Sequence, residues 1–331
     1  MRGRLWRAAH RRRFLSSCGA ALVKPGFLPH ACALMAVLAS ASACAAPTPP
    51  PVAQAEPAPA AASAAHPGVR VSTITRSGEH LFVAQILELD LTRPDLALVT
   101  TPRHANGGME FIARRTTTYL AEVRALAAVN ASYFLPFAGG SKGGEDYYPH
   151  EGQPVNASGA VMAEGAVVSP VETDLDIRVN AIVCFERLAI LIADGQACPV
   201  GFDNGVAAGP RLLADGARRS FAAFDNNYAA TPQPRTAIGV SADGKLGWIV
   251  VIDGRQAGYS DGATLEALTS LFLELGASNA INLDGGGSST LAIAGTDGTP
   301  VIVNRPIHTG VPGRERPVAN HIALVVSPAG Q

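Results

Sequence analysis

The sequence predicts an α+β fold, a single domain of mixed, mostly antiparallel β-sheets with a few helices. Three observations predict it. Short apolar, β-branched runs recur along the chain and are bounded by turn residues. Seven Asp-Gly pairs, beginning at Asp194, Asp215, Asp243, Asp253, Asp261, Asp284 and Asp297, suit turns that need positive φ. Helical periodicity is scarce, and no 20–50-residue repeat or strict β/α alternation points to a solenoid, a barrel or a Rossmann sheet.

In chain order, residues 1–44 read as an export signal. A basic start, Arg2 to Arg13, precedes an apolar run over residues 32–43, and small residues come after it. A run of about 12 residues is shorter than the ~20 a helix needs to cross a bilayer. Arg11-Arg12-Arg13-Phe14-Leu15 resembles a twin-arginine signal, but Lys24, Pro25 and His30 interrupt the apolar region, so an ordinary leader is preferred. Ala41-Ser-Ala-Cys44 loosely resembles a lipoprotein cleavage box with Ala where Leu is usual. Lipidation of Cys44, which would tether the protein to a membrane, stands as the alternative to simple cleavage nearby. Residues 45–66 are nearly all Ala and Pro, an extended linker that buries too little surface to fold. Residues 67–331 form the working domain, expected in the periplasm or at the cell envelope.

Within it, strands are expected at 81–89, 96–100, 160–168, 177–183, 188–192, 237–240, 247–252, 280–283, 290–294, 300–303 and 321–326. The clearest helix is 264–275, where Leu265, Leu268, Phe272 and Leu275 share one face, with Asp261 capping its start and Gly276 its end. A second helix is expected over 109–120.

Composition excludes several classes. Apolar residues make up 47% and charged residues 16% of the 331, too apolar for a disordered chain. Aromatics at 6% are too sparse for a base-stacking platform. Residues 1–30 hold seven basic residues and no acid, which leaves 19 basic against 27 acidic in the remainder. A domain that acidic is a poor partner for nucleic acid. Only Cys184 and Cys198 lie beyond the leader, and export favours a disulfide between them over two buried thiols. No CxxC or HExxH suggests zinc.

The most informative segment is Asn282-Leu-Asp284-Gly-Gly286-Gly287-Ser288-Ser-Thr, in which an apolar strand ends in a carboxylate, then three glycines and three hydroxyls. Three consecutive glycines are costly in backbone entropy. They suggest close approach to the backbone and an anion-binding concavity, with a plain turn as the alternative. Arg235 enters one apolar strand and Arg316 precedes another, each a candidate fork for phosphate or carboxylate. Asn130, at the end of an apolar run, is either a turn former or a hydrogen bonder to substrate. Asn130-Ala-Ser and Asn156-Ala-Ser match the glycosylation sequon, which carries little weight beside a leader of bacterial character. Residues 139–150 compose a polar loop in which Glu145, Asp146, His150 and the adjoining Glu151 are candidate acid/base groups. Its Gly139-Gly-Ser141-Lys-Gly143 lacks the strand-to-helix context of a nucleophile elbow.

At these segments the chain resembles the phosphodiester glycosidase family. Asn130-Ala-Ser-Tyr-Phe, Gly209-Pro-Arg, Pro234-Arg-Thr-Ala-Ile-Gly, Asp253-Gly-Arg, Gly262-Ala-Thr-Leu, Asn282-Leu-Asp-Gly-Gly-Gly-Ser-Ser and Arg316-Pro-Val-Ala-Asn320 occur in the family's order. Ala131-Ser132 departs from the Gly that usually stands after the Asn. The resemblance implies hydrolysis of a sugar-1-phosphodiester at the glycosidic C1–O bond, releasing a free sugar and a phosphomonoester. It makes Asp284 the key carboxylate, with Glu145 or Asp146 in its place should Asp284 hold the loop or a metal. Arg235 and Arg316 would bind phosphate, and Asn130, Gly286, Gly287, Ser288 and Asn320 would shape the pocket. No cofactor is implied, although a divalent cation stays open. Two alternatives remain: a non-catalytic envelope-polysaccharide binder or biosynthetic accessory protein, and a cation-dependent phosphodiesterase with clustered His and Asp ligands.

Overall fold

A computed structural model of the protein describes residues 66–105, 108–134, 148–170 and 178–327. Residues 1–44, expected to be an export signal, with Cys44 among them, most of the expected linker, Glu145 and Asp146 lie outside the described residues. Strands far outnumber helices in the described chain, and every ladder in it is antiparallel. No described helix is long and apolar enough to cross a membrane.

Three sheets carry the fold. The largest has seven strands, in the order Val69–Arg76, Phe82–Asp90, Leu246–Ile252, Arg235–Ser241, Ala277–Asn282, Arg211–Ala214 and Ala217–Arg218. A five-stranded sheet runs Ala189–Asp194, Ala181–Glu186, Asn204–Ala208, Val161–Ala163 and Ala166–Ser169. A second runs Pro300–Ile302, Leu291–Ala294, Ala127–Asn130, His321–Val326 and Leu96–Thr100. All three contribute to one core, through residues such as Leu87, Ile238 and Ile281, then Val183 and Phe185, then Val129, Ile293 and Ile322.

The outer faces are covered as well. Helix Leu265–Leu275 lays Leu268, Leu271 and Phe272 over Ile86, Trp248 and Val250 of the large sheet. Helix Thr116–Val123 covers Ala128, Ala292 and Ala323 with Tyr119 and Leu120. Burial on both faces explains why the central strands read as continuous apolar runs and do not alternate.

Three expectations shift. The second helix occupies Thr116–Val123, because Phe111–Ile112 instead pairs with Pro154–Val155 as a short ladder. The Leu265–Leu275 helix is capped by Thr264, whose Oγ1 accepts from the Ala267 N–H at 3.1 Å, while Asp261 accepts from the Leu81 N–H at 3.2 Å. The run 160–168 resolves into the hairpin Val161–Ala163 and Ala166–Ser169. Cys184 and Cys198 form a disulfide with a Cα–Cα separation of 5.8 Å.

Candidate active site

The Asp284 loop is the crossing between two sheets. The chain leaves the large sheet at Asn282 and joins the second five-stranded sheet at Leu291. Because Ala237 pairs with Asn282, the antiparallel register carries Arg235 and Asp284 to the same end of neighbouring strands. Asn130 ties the crossing together. Its Nδ2 donates to the Asp284 carbonyl at 2.6 Å, and its Oδ1 accepts from Thr236 Oγ1 at 2.9 Å and the Thr290 N–H at 3.1 Å. The Asp284 N–H donates to the Ala131 carbonyl at 3.0 Å. Asn130 is therefore committed to the protein, neither a local turn former nor a lining residue.

The glycines answer to close approach. A Cβ on Gly285 would lie 2.7 Å from the Pro234 carbonyl oxygen, and one on Gly254 would lie 2.6 Å from the Pro234 nitrogen. In the other five Asp-Gly pairs the glycine has positive φ; four of them serve turns, while Gly262 packs against the Gln233 main chain, where a Cβ would lie 2.5 Å from the carbonyl oxygen. The two exceptions adjoin Asp253 and Asp284, the carboxylates drawn inside. Asp253 is saturated: Oδ1 accepts from Asn304 Nδ2 and the Arg305 N–H, both at 2.8 Å, and Oδ2 from the Tyr259 hydroxyl at 2.9 Å. It fixes a loop. Gly286 adopts φ +61°, which aims the next residues back along the loop.

Asp284 opens instead into a cavity of about 540 Å³, lined among others by Tyr148, Tyr228, Arg235, Arg255, Gly286 and Arg316. Enclosure by protein raises its pKa from 3.8 to about 6, opposed by a hydrogen bond with Ser288 and by the charges of Arg316 and Arg178. Arg316 is buried, and its Nε donates to His308 Nδ1 at 3.1 Å and its Nη1 to Ser288 Oγ at 3.2 Å. Its guanidinium carbon sits 3.7 Å from the centroid of the Tyr148 ring. Burial lowers the Arg316 pKa, and Asp284 opposes that shift. Arg255 stands exposed at the mouth, its Nε donating to Gln233 Oε1 at 2.7 Å, with its guanidinium over Gly286.

Arg235 lines the same cavity but is partly spent on the fold. Its Nε donates to the Ala263 carbonyl at 3.0 Å and its Nη2 to the Tyr228 carbonyl at 2.5 Å. The Tyr133 and Tyr228 hydroxyls lie 2.5 Å apart beside Asn282 Nδ2 and the Gly209 carbonyl. Burial raises both phenol pKa values. Arg178 lies over both rings, at 5.0 and 5.3 Å from their centroids.

The structure thus brings Asp284, Arg235, Arg316, Gly286 and Gly287 to one cavity, with Ser288 directly behind. It does not bring Asn320 there. The Asn320 Oδ1 accepts from the Ser132 N–H at 2.9 Å and its Nδ2 donates to Ser132 Oγ at 3.0 Å, a buried brace of the chain after Asn130. His150 and Glu151 line a different cavity. Glu151 accepts from the Arg115 N–H and Thr118 Oγ1 at a helix start, which accounts for its charge. Sequence reasoning passed over Arg178, Arg255, Tyr133, Tyr148 and Tyr228 as site residues. Arg255 and Tyr133 stand inside family motifs, whereas Arg178, Tyr148 and Tyr228 carry no local signal. Among the described residues, no three His, Cys, Asp or Glu side chains gather closely enough to hold a metal ion.

This architecture recurs in solved structures. The catalytic domain of zebrafish N-acetylglucosamine-1-phosphodiester α-N-acetylglucosaminidase, auto-inhibited by its pro-peptide, aligns with a TM-score of 0.55 at 18% identity, over 78% of this chain and 82% of that one. A hypothetical protein from Synechocystis aligns with a TM-score of 0.52 at 19% identity, over 78% of this chain and 62% of that one. A protein of Burkholderia pseudomallei K96243 assigned to export aligns with a TM-score of 0.52 at 18% identity, over 76% of this chain and 75% of that one. In sequence, the SPbeta prophage-derived uncharacterized protein YomE of Bacillus subtilis (strain 168) is 40% identical over 99 residues, 25% of this chain and only 15% of that protein's length. The Phosphodiester glycosidase family model matches residues 124–325, more than half of the chain, and the protein belongs to that family.

Proposed function

We propose that the protein hydrolyses the glycosidic C1–O bond of a sugar-1-phosphodiester, releasing the free sugar and a phosphomonoester. The observation that carries this reading is the placement of Asp284, a carboxyl group open to a cavity and flanked by the guanidinium of Arg316. A phosphomonoester is a good leaving group, so protonating it matters less than stabilising its charge. Arg316 and Arg255 take that role, with Arg235 behind them. Asp284, titrating near 6, is ionised at neutral pH and either stabilises the oxocarbenium-like state or activates water. The sugar is of the N-acetylglucosamine type named for the zebrafish neighbour, or another sugar of an envelope or exopolysaccharide.

Export belongs to the same reading. Its support is the Cys184–Cys198 disulfide, a bond that persists in oxidising compartments, together with the likeness to the exported Burkholderia protein. Residues 1–44 act as the signal, residues 45–66 as the tether and residues 67–331 as the enzyme.

Hydrolysis in oxygen-18 water, with mass spectrometry of both products, tests the chemistry. Label in the sugar is the expected result. Label in the phosphate means P–O cleavage and a different reaction. Binding of glycan with no turnover of any sugar-1-phosphodiester makes the protein a binder.

A further inference from the structure

Helix Thr116–Val123 has no cap of its own: the side chain of Arg115, its N-cap residue, makes no capping hydrogen bond. Donors at that end are taken instead by two carboxylates from distant segments. Glu151 Oε1 accepts from the Arg115 N–H at 3.4 Å and from the Thr118 hydroxyl, and its Oε2 lies 3.2 Å from Arg115 Nε. Glu315 Oε1 accepts from the Thr117 N–H at 3.1 Å, and its Oε2 from the Thr117 hydroxyl. These partners stand 36 and 198 residues apart in the chain. Burial raises the Glu315 pKa, opposed by the Thr117 bonds and the Arg115 charge, while Glu151 adds to the rise. Glu315 therefore sits there against a desolvation cost. A Ser, Thr or Asn at position 115 would cap the helix without that cost, so capping alone does not explain the pair.

Each carboxylate is joined by a short stretch of chain to the Asp284 cavity. Arg316 directly follows Glu315, and Tyr148 precedes Glu151 by three residues. These two cavity-lining side chains meet, the Arg316 guanidinium carbon lying 3.7 Å from the Tyr148 ring centroid. The contacts close a circuit from the helix start through Glu151, Tyr148, Arg316 and Glu315 back to the helix start. Ser288 and His308 hold the tip of Arg316. Its main chain has less support. Isolated bridges pair Arg314 with Ile307 and Val318 with Arg114, and none of the described strands includes residues 315–317. The Val318 bridge, with N–H to carbonyl distances of 2.9 and 3.1 Å, also ends on the chain that enters this helix.

We infer that Glu315 and Glu151 are positioning residues, which dock the segments bearing Arg316 and Tyr148 on the helix start and so hold the guanidinium, backed by the tyrosine ring, where it meets phosphate. The inference rests on the proposed assignment of phosphate to Arg316. Neither carboxylate touches the substrate in this reading. Each acts through the side chain it places.

The test uses the full chain and two readouts besides activity. One is calorimetric titration with methyl phosphate. The other is the Arg316 Nε–H resonance in nuclear magnetic resonance, identified by its loss in Arg316→Lys and displaced by the ring current of Tyr148. Glu315→Gln and Glu151→Gln are each expected to weaken methyl phosphate ~10-fold or more, the scale at which misplacing a binding group is felt, and to move the resonance. Thr117→Ser, which keeps the hydroxyl, and Leu120→Ala, which weakens the same helix through its buried face, should stay within about twofold of the wild type and leave the resonance in place. Should Glu315→Gln fail to fold, Thr117→Val replaces it, since it deletes only the hydroxyl donated to Glu315. A resonance unmoved in the variant of either carboxylate overturns the positioning role of that carboxylate, whatever the affinities do. Equal effects in Leu120→Ala also overturn the inference, because binding then follows helix stability and not the two carboxylates. If the wild type binds no methyl phosphate, the phosphate reading falls, and the resonance alone decides whether Glu315 and Glu151 place Arg316.

Discussion

The guanidinium of Arg316 lies where a side chain on residue 287 would be: a Cβ built on Gly287 would sit 2.8 Å from its central carbon. The third glycine of the Asp284 loop is thus required by an arginine 29 residues further along the chain. Its φ lies outside the left-handed region, so alanine fits the backbone there and acts only by displacing Arg316.

Gly287→Ala is accordingly expected to fold and to lose activity. A charge-assisted bond contributes about 1.5–3 kcal/mol, so kcat/KM for a sugar-1-phosphodiester should fall ~10- to 150-fold. Wild-type kinetics in this variant would remove Arg316 from the phosphate.

Asp284→Asn is expected to lower turnover at least ~100-fold, the low end of what one acid/base group supplies. In the wild type, activity should decline as pH falls through about 6, where Asp284 becomes protonated. Because its pKa is raised in the folded state, Asp284 favours folding fully below the unfolded value of 3.8, and that contribution is lost as pH rises through about 6. Melting curves should therefore show Asp284→Asn gaining on the wild type between pH 4 and pH 8.

Arg235 and Arg316 should separate. Arg235→Ala leaves the Tyr228 carbonyl without this donor and the Ala263 carbonyl with only the Gln233 N–H, and stability should drop by about 1–3 kcal/mol in urea denaturation. Arg316→Ala removes a cation that holds the Asp284 pKa down. Residual activity in that variant should show its acid limb displaced above the wild-type position.

His321 is 1% exposed, its ring stacked on Tyr119 at 4.6 Å, and neither ring nitrogen has a hydrogen-bond partner among the described residues. Burial lowers its pKa to about 3, with the nearby Arg114 charge adding and the Arg114 main chain opposing. The unfolded chain therefore binds the extra proton below about 6.5, so stability is full above that pH and falls as pH drops toward about 3. This slope opposes that of Asp284 between pH 4 and 6. His321→Phe should remove it, seen as acid melts shallower than those of the wild type.

Gly205 packs against the disulfide. A Cβ there would overlap Cys198 Sγ and lie 3.3 Å from the Val183 carbonyl oxygen. Gly205→Ala should destabilise the oxidised protein by about 1–3 kcal/mol, the range for overpacking. Most of that loss should disappear in a Cys184→Ala/Cys198→Ala background, a double-mutant cycle that reports the contact.

The sequence by itself determined the strand-rich class, the helix ending at Gly276, the Cys184–Cys198 partnership and the family, because each depends on local pattern or on motif order. Strands such as Leu96–Thr100 and His321–Val326 were legible to the residue, since burial on both faces makes them uninterrupted apolar runs. The singularity of the Asp284 loop was legible too, because three glycines in a row are hard to explain by a turn. Tertiary structure alone decided what each polar residue does. Asn130, Asn320, Arg235 and Asp253 look in sequence like Asp284 and Arg316, polar groups at strand ends. The first two and Asp253 are consumed by backbone and neighbouring hydrogen bonds, and Arg235 is partly so. Arg178, Tyr148 and Tyr228 reach the cavity from segments with no motif at all. Whether a buried polar group braces the fold or faces a ligand depends on which partners lie within about 3 Å, and those partners come from strands tens to hundreds of residues away.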